Sequence, residues 1–171
     1  ASTNLLPQSG SIGTSPWLTY GSSVTLNNAA SPDGTTTATL TTAVAGATSA
    51  AMVYQNYTYT ATTYTKSVWL KAGTHNWIVI DLNNAANAGA VFDLSDGTIG
   101  FTDTGITSVI EEFPDGWYRC SVTGLRTAVL SYPEIYFSQS RTANVRAWTP
   151  AGTETCYAWG AQLEASTYPT S

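Results

Sequence analysis

A single all-β domain, built as two antiparallel sheets packed face to face, is what this sequence predicts. Three observations carry that expectation. Short runs rich in Val, Ile, Thr, Tyr and Trp alternate apolar and polar residues with a period of two. Turn residues punctuate these runs at short intervals, with Asp-Gly pairs at 33–34, 96–97 and 115–116. No long stretch repeats apolar residues at helical spacing. The 171 residues suit one ordinary domain, and neither a repeat nor a boundary divides them, so 1–171 is expected to be one module. Residues 165–171, ending in Ser-Thr-Tyr-Pro-Thr-Ser, read as a tail or linker within a larger protein.

The elements follow in order. Strands are expected at Ser22–Leu26 and Ala38–Thr42, on either side of the Asp33-Gly34 turn. The Ala-, Thr- and Gly-rich segment Thr41–Ala50 is a loop or a weak edge strand, and Met52–Thr58 is the next strand. Tyr64 to Asp81 carries the clearest pattern, with Val68, Leu70, Ile78 and Ile80 apolar at alternate positions around Gly73-Thr74-His75. Closed as a three-residue hairpin, that segment sets Leu70 opposite Ile78 and Val68 opposite Ile80. The reverse face then carries Ser67, Trp69 and Lys71 opposite Asp81, Val79 and Trp77. A second hairpin is expected at Val91 to Phe101, where a two-residue Asp96-Gly97 turn sets Leu94 opposite Ile99 and Phe92 opposite Phe101. Ser108–Glu112, Trp117–Thr123, Ile135–Gln139 and Thr155–Glu164 complete the strands, and residues 140–153 form the longest loop. That makes roughly nine or ten short strands and no helix, as a sandwich requires.

Composition excludes several function classes. Charged residues are only 10% of the chain, against about a quarter in ordinary domains. Six basic residues and a net charge of -5 leave no basic patch for nucleic acid, and they disfavour polyanionic polysaccharides for the same reason. No apolar run approaches the ~20 residues of a membrane span, so no membrane insertion is expected. Neutral hydroxyls and amides with 12% aromatics suit extracellular work on neutral polar ligands. Cys120 and Cys156 each lie in an expected strand; they are a disulfide if those strands adjoin and two buried thiols otherwise.

Several segments together carry a family resemblance. They are Asn4-Leu5-Leu6, Ser31-Pro32-Asp33-Gly34-Thr35, the run from Tyr64 to Gly73, Val91-Phe92-Asp93-Leu94 with Gly97-Thr98-Ile99-Gly100, Asp115 to Val122, and Tyr157 to Glu164. In this order they resemble a module of bacteriophage tail and other virion proteins and of secreted bacterial proteins, similar to jelly-roll carbohydrate-binding modules of the family 4 and family 22 kind. The resemblance implies a jelly-roll sandwich of the galactose-binding-domain or concanavalin type. It also implies an extracellular or virion-associated setting. In such modules a structural calcium sits where the first and last strands meet. Here the last strand offers Gln162 and Glu164 rather than an Asp pair, so calcium stays open and no other cofactor is expected.

Nothing in the sequence points to catalysis, and no catalytic residue is expected. Glycosidases aim two carboxylates at one bond, but the only adjacent pair, Glu111-Glu112, must point to opposite strand faces. His75 has no second His or Cys to complete a metal site and is expected to be exposed and inert. Binding has better material. Sugar sites pair a flat aromatic platform with polar groups, and the hairpin reading puts Trp69, Trp77, Lys71 and Asp81 on one face. The resemblance makes that hairpin part of the cleft and adds Tyr136 and Gln139 from a neighbouring strand; Trp148 in the long loop is placed to cap it. Trp159 and Leu163 read as inward packing on the last strand. The expected function is non-catalytic recognition of a polysaccharide or cell-surface glycan. The alternative is a structural or interaction domain of a virion without a glycan site, in which these tryptophans are buried or a flat apolar patch serves oligomer contacts.

Overall fold

The computed structural model describes residues 3–48, 52–83 and 87–170. In chain order its strands are β1 Leu18–Tyr20, β2 Ser22–Ala29, β3 Ala38–Ala43, β4 Met52–Tyr54, β5 Tyr57–Thr58, β6 Thr62–Ala72 and β7 Trp77–Asp81. They continue as β8 Gly89–Asp93, β9 Thr98–Thr102, β10 Ile106–Glu112, β11 Trp117–Arg126, β12 Leu130–Ser131, β13 Glu134–Phe137 and β14 Thr155–Glu164. One six-stranded sheet runs β1-β4-β13-β7-β8-β9 and the other β10-β11-β6-β14-β3-β2, with β12 and β5 paired separately. Among the described residues the only helical element is a single 3-10 turn, Pro114–Gly116, so no helix there is long enough to cross a membrane. The expected all-β two-sheet sandwich is the observed architecture.

The core lies where the inner faces meet. Val68, Leu70, Cys120, Val122 and Leu163 come from one sheet and Ile78, Ile80, Phe92, Ile135 and Phe137 from the other, all 4% exposed or less. Each large apolar side chain so buried contributes about 1.5–3 kcal/mol. Leu6, Ile12 and Trp17 of the amino-terminal segment complete this core. Asn4 fastens that segment to β14: its side chain donates to Ala161 O (3.2 Å) and accepts from Leu163 N (3.0 Å).

Two expected registers are corrected. Tyr64–Asp81 is not a hairpin. β6 pairs with β11 and β14, whereas β7 pairs with β8 and β13 in the opposite sheet. Residues 73–76 therefore arch from one sheet to the other. Val68, Leu70, Ile78 and Ile80 do face the core, but across the sandwich rather than side by side. The arch presses on the start of β14: a Cβ on Gly73 would lie 2.3 Å from Thr155 Oγ1. Thr74 N donates to that same oxygen (2.9 Å) and Thr155 N returns a bond to Thr74 Oγ1 (3.0 Å). The 91–101 hairpin exists, but its loop holds four residues, closed by Gly97 N donating to Asp93 O (3.0 Å). Phe92 consequently faces Ile99, and a bulge between Val91 and Phe92 restores Val91 opposite Phe101.

Elsewhere, Met52–Thr58 is broken into two strands, and Thr41–Ala43 belongs to β3, while residues 49 and 50 lie outside the described residues. Gln139 falls beyond the end of β13. Cys120 and Cys156 are buried free thiols. β6 runs between their strands, with Cys120 opposite Val68 and Cys156 opposite Ala72. Two strand spacings of about 4.8 Å already exceed the roughly 7 Å a disulfide can bridge. Residues 165–170 fold back, since Ser166 O accepts from Thr65 Oγ1 (3.0 Å) and Glu164 Oε2 accepts from Thr170 N (2.9 Å).

Candidate functional site

Because β6 and β7 belong to different sheets, Trp69 and Trp77 emerge on opposite outer faces of the sandwich. They share no platform. What surrounds each one differs sharply.

Trp69 lies half-buried in an open cleft on the outer face of its sheet. In the register of that sheet Arg119, Trp69 and Trp159 form one row across β11, β6 and β14. The indoles of Trp69 and Trp159 are 6.5 Å apart at 61°, and the Phe113 ring stands 4.4 Å from Trp69 at 65°. These rings lie in a cleft of about 740 Å³. Trp69, Trp159 and Lys71 form its floor. The β2–β3 connection at Ser31–Gly34 forms one wall, and the β10–β11 turn at Phe113–Asp115 forms the other. A volume of this order is that of a small-ligand site.

Each part has a local cause. Trp159 points outward by alternation with the core residues Cys156 and Ala158, and β14 is bulged just beyond it, between Trp159 and Gln162. The extra residue reverses the alternation, so Leu163 turns inward although it lies four positions away. This corrects the expectation that Trp159 packs inward. The bulge turns on Gly160, which has φ 62, and a Cβ there would come within 2.9 Å of Trp69 Cδ1. Glycine is thus required both by the backbone and by the indole lying over it. Trp159 Nε1 donates to Thr37 Oγ1 (3.1 Å), which ties that ring to the first wall.

That wall is itself rigid. The buried Ser31 hydroxyl contacts Thr35 O (2.7 Å) and Thr37 Oγ1 (2.9 Å) and donates to Asp33 Oδ1 (2.8 Å). Asp33 Oδ1 also accepts from Thr35 N (3.0 Å) and Thr35 Oγ1 (2.7 Å). The Thr35 hydroxyl, then its amide, hold the Asp33 carboxyl below the usual carboxylate range. On the second wall Asp115 and Gly116 both have positive φ, 63 and 77, which lets a tight turn hold Phe113 and Asp115 at the rim.

The other outer face is covered. Residues 138–150 lie over it and are clamped at three carboxylates. Arg141 Nε donates to Asp93 Oδ2 (2.8 Å), Asn144 Nδ2 to Asp103 Oδ2 (2.9 Å), and Arg146 Nη1 lies 2.5 Å from Glu134 Oε2. The Arg146 guanidinium also sits 4.8 Å over the Tyr136 ring, and Asn144 accepts from the Tyr136 hydroxyl. Tyr136 and Asp81 are buried beneath. Burial raises Asp81 to about 6, and it holds Lys66 down at about 7 where that side chain crosses the core to donate to Glu134 O (2.7 Å). For Asp93 burial acts upward, but the Ser95 hydroxyl and amide and Arg141 outweigh it and hold the acid low.

Of the seven expected site residues, the structure brings Trp69 and Lys71 together in the cleft. Trp77 is half-buried on the covered face, its Nε1 3.2 Å from Asp93 Oδ2. Asp81 and Tyr136 are buried on that face, and Gln139 is exposed at the start of its covering loop. Trp148 caps the end of the sandwich: it donates to Phe137 O (3.1 Å) and stacks on His75 at 5.8 Å. His75 is half-buried there rather than exposed, with Nε2 2.8 Å from Ser138 O. Trp159, Phe113, Asp33 and Asp115 were not singled out as site residues. The Gly160 that follows Trp159 was the one local sign of a bulge.

The calcium expectation finds no support where the first segment meets β14. Asn4 is satisfied there by backbone, and Glu164 is engaged by Thr170. Calcium takes six to eight oxygens. Among the described residues no group of three or more His, Cys, Asp and Glu side chains is placed to hold a metal ion. The residues present do not fit one.

No family model and no curated protein matches this chain. Solved structures do match. The structure of TmCBM61 in complex with beta-1,4-galactotriose aligns with a TM-score of 0.52, over 96% of this chain and 100% of that one. This chain shares the fold of that structure. It is a jelly-roll sandwich related in architecture to TmCBM61, and not specifically to a family 4 or family 22 module. At 10% identity the likeness carries the architecture, and function has to be argued from the site.

Proposed function

We propose that the chain is a non-catalytic carbohydrate-binding module whose ligand lies in the cleft over Trp69 and Trp159. The observation that carries this reading is the pair of half-buried indoles set edge to face across β6 and β14, at the floor of an open cleft on the outer face of that sheet. Apolar faces of sugar rings stack on such indoles, while Lys71 and the wall carboxylates meet the hydroxyl rim. That TmCBM61 was solved with a galactotriose supports a sugar as the ligand class. A glycosidase needs one carboxyl raised to act as an acid, yet Asp33 is held low and both wall aspartates are exposed. A single cleft of this kind binds weakly, which suits a module of a larger secreted or virion-associated protein that gains retention from several copies.

The test is a glycan array probed with the unchanged protein and with Trp159→Ala and Trp77→Ala, each checked by thermal melt. Binding to one glycan class, lost in Trp159→Ala and kept in Trp77→Ala, is the expected result. Binding that survives Trp159→Ala rules out the cleft as the site. A second reading, an interaction domain, has its own observation. Leu125, Val129 and Leu130 are 69%, 48% and 58% exposed around the β11–β12 connection. It predicts self-association in sedimentation velocity that Leu130→Ser abolishes.

A further inference from the structure

We propose that the cleft takes one curved, uncharged glycan chain, and that Asp33 is the residue that anchors its hydroxyls. This rests on the carbohydrate-binding reading and narrows it to a ligand class.

The rings decide the shape of the ligand. A crystalline polysaccharide presents its sugar faces in one plane, and a protein grips that plane with coplanar exposed aromatics. Trp69 and Trp159 are inclined at 61° with centroids 6.5 Å apart, so no flat surface lies against both. Phe113, inclined at 65° to Trp69, turns the surface further. Sugar rings that stack on such a floor must change orientation from one to the next, as they do along a chain that bends. The walls at Ser31–Gly34 and Phe113–Asp115 stand on either side of the floor, which leaves room for a strand of sugar and none for a sheet.

The rim decides its charge. Asp33 Oδ1 is consumed by three donors, from Ser31 and Thr35. None of these reaches Oδ2, and the side chain is exposed at the cleft wall. The carboxylate is thus oriented by one oxygen and presents the other. Hydroxyl donors bond an ionised carboxylate more strongly than a neutral acceptor, and neighbouring sugar hydroxyls can share it. Asp115 adds a second carboxylate across the cleft, with Lys71 as the one ammonium in its lining. A uronate brought to this rim meets Asp33 and Asp115 against Lys71, while the Arg119 guanidinium, 6.0 Å from the Trp69 ring, stands opposite Glu111 in the sheet register.

The experiment is affinity electrophoresis and pull-down of the unchanged protein, Asp33→Asn and Asp33→Glu. The probes are soluble neutral β-glucans and β-galactans, crystalline cellulose and chitin, and polygalacturonate. The Asp33→Asn side chain keeps an oxygen for Ser31 and Thr35 and replaces only the presented one, so thermal melts of this variant should match the parent. The expected result is retention by at least one soluble neutral glycan, none by the crystalline polymers or polygalacturonate, and about tenfold weaker retention in Asp33→Asn. In Asp33→Glu the longer side chain moves the presented oxygen, and retention should also fall. Equal binding to a crystalline polymer or to polygalacturonate overturns the ligand class while leaving a carbohydrate-binding module. Unchanged binding in Asp33→Asn removes Asp33 as anchor. Failure to bind any probe overturns the underlying carbohydrate reading, and this proposal with it.

Discussion

Replacing Gly160 by alanine applies two separate loads to the candidate cleft. The first is conformational. At φ 62 an L side chain clashes with its own backbone, at a cost of about 1–2 kcal/mol. The second is steric. The new Cβ comes within 2.9 Å of Trp69 Cδ1, so the indole must retreat by about 0.5 Å to regain ordinary contact. Gly46 separates the two loads, because it has φ 75 with nothing within 4 Å of an added Cβ. Gly46→Ala should therefore lose about 1–2 kcal/mol, a fall in Tm of roughly 2–8 °C for a domain of this size, and Gly160→Ala at least as much. Only Gly160→Ala should alter the near-ultraviolet circular dichroism of the tryptophans and the emission of Trp69. Thermal melts with near-ultraviolet spectra of both variants measure this. Identical tryptophan spectra in Gly160→Ala and the parent would refute the claim that the bulge seats Trp69.

Three further outcomes are expected from the covered face and the core. Asp81 is neutral in both states below its unfolded value of 3.8, and between 3.8 and about 6 only the unfolded chain ionises, so stability falls as pH rises through that window. Asp81→Asn should abolish that fall and gain up to about 3 kcal/mol above pH 6, read by urea unfolding at pH 4 and pH 7. Arg146→Ala strands the buried Glu134 carboxylate and should cost about 3–5 kcal/mol, with much of the loss recovered in Arg146→Ala/Glu134→Gln, as chemical denaturation of both variants will show. Two thiols should react with a thiol reagent after denaturation and none before it, and reductant should leave Tm unchanged, because Cys120 and Cys156 are buried on strands that β6 separates.

The fold class was legible because period-two alternation reports which residues turn inward. Val68, Leu70, Ile78 and Ile80 do so, and the sandwich follows from them. The partner of each strand was not legible. A short turn between two alternating runs looks the same whether the chain folds back within one sheet or arches to the other, and Gly73-Thr74-His75 does the second. That one ambiguity joined Trp69 to Trp77, which the arch separates. The place of Trp159 was hidden by the bulge at Gly160, which reverses face assignment for every residue beyond it. The covering of Tyr136, Asp81 and Trp77 depends on Arg141, Asn144 and Arg146 reaching carboxylates up to 48 positions away in sequence; local pattern carries no such information.

The most direct measurement is a ¹H–¹⁵N spectrum of the six tryptophan indole N–H groups during titration with a bound soluble glycan. The Trp69 and Trp159 resonances should shift together and saturably, while those of Trp77 and Trp148 stay in place. Shifts at Trp77 or Trp148, with Trp69 and Trp159 unmoved, would put the ligand on the covered face and contradict the assignment of the cleft.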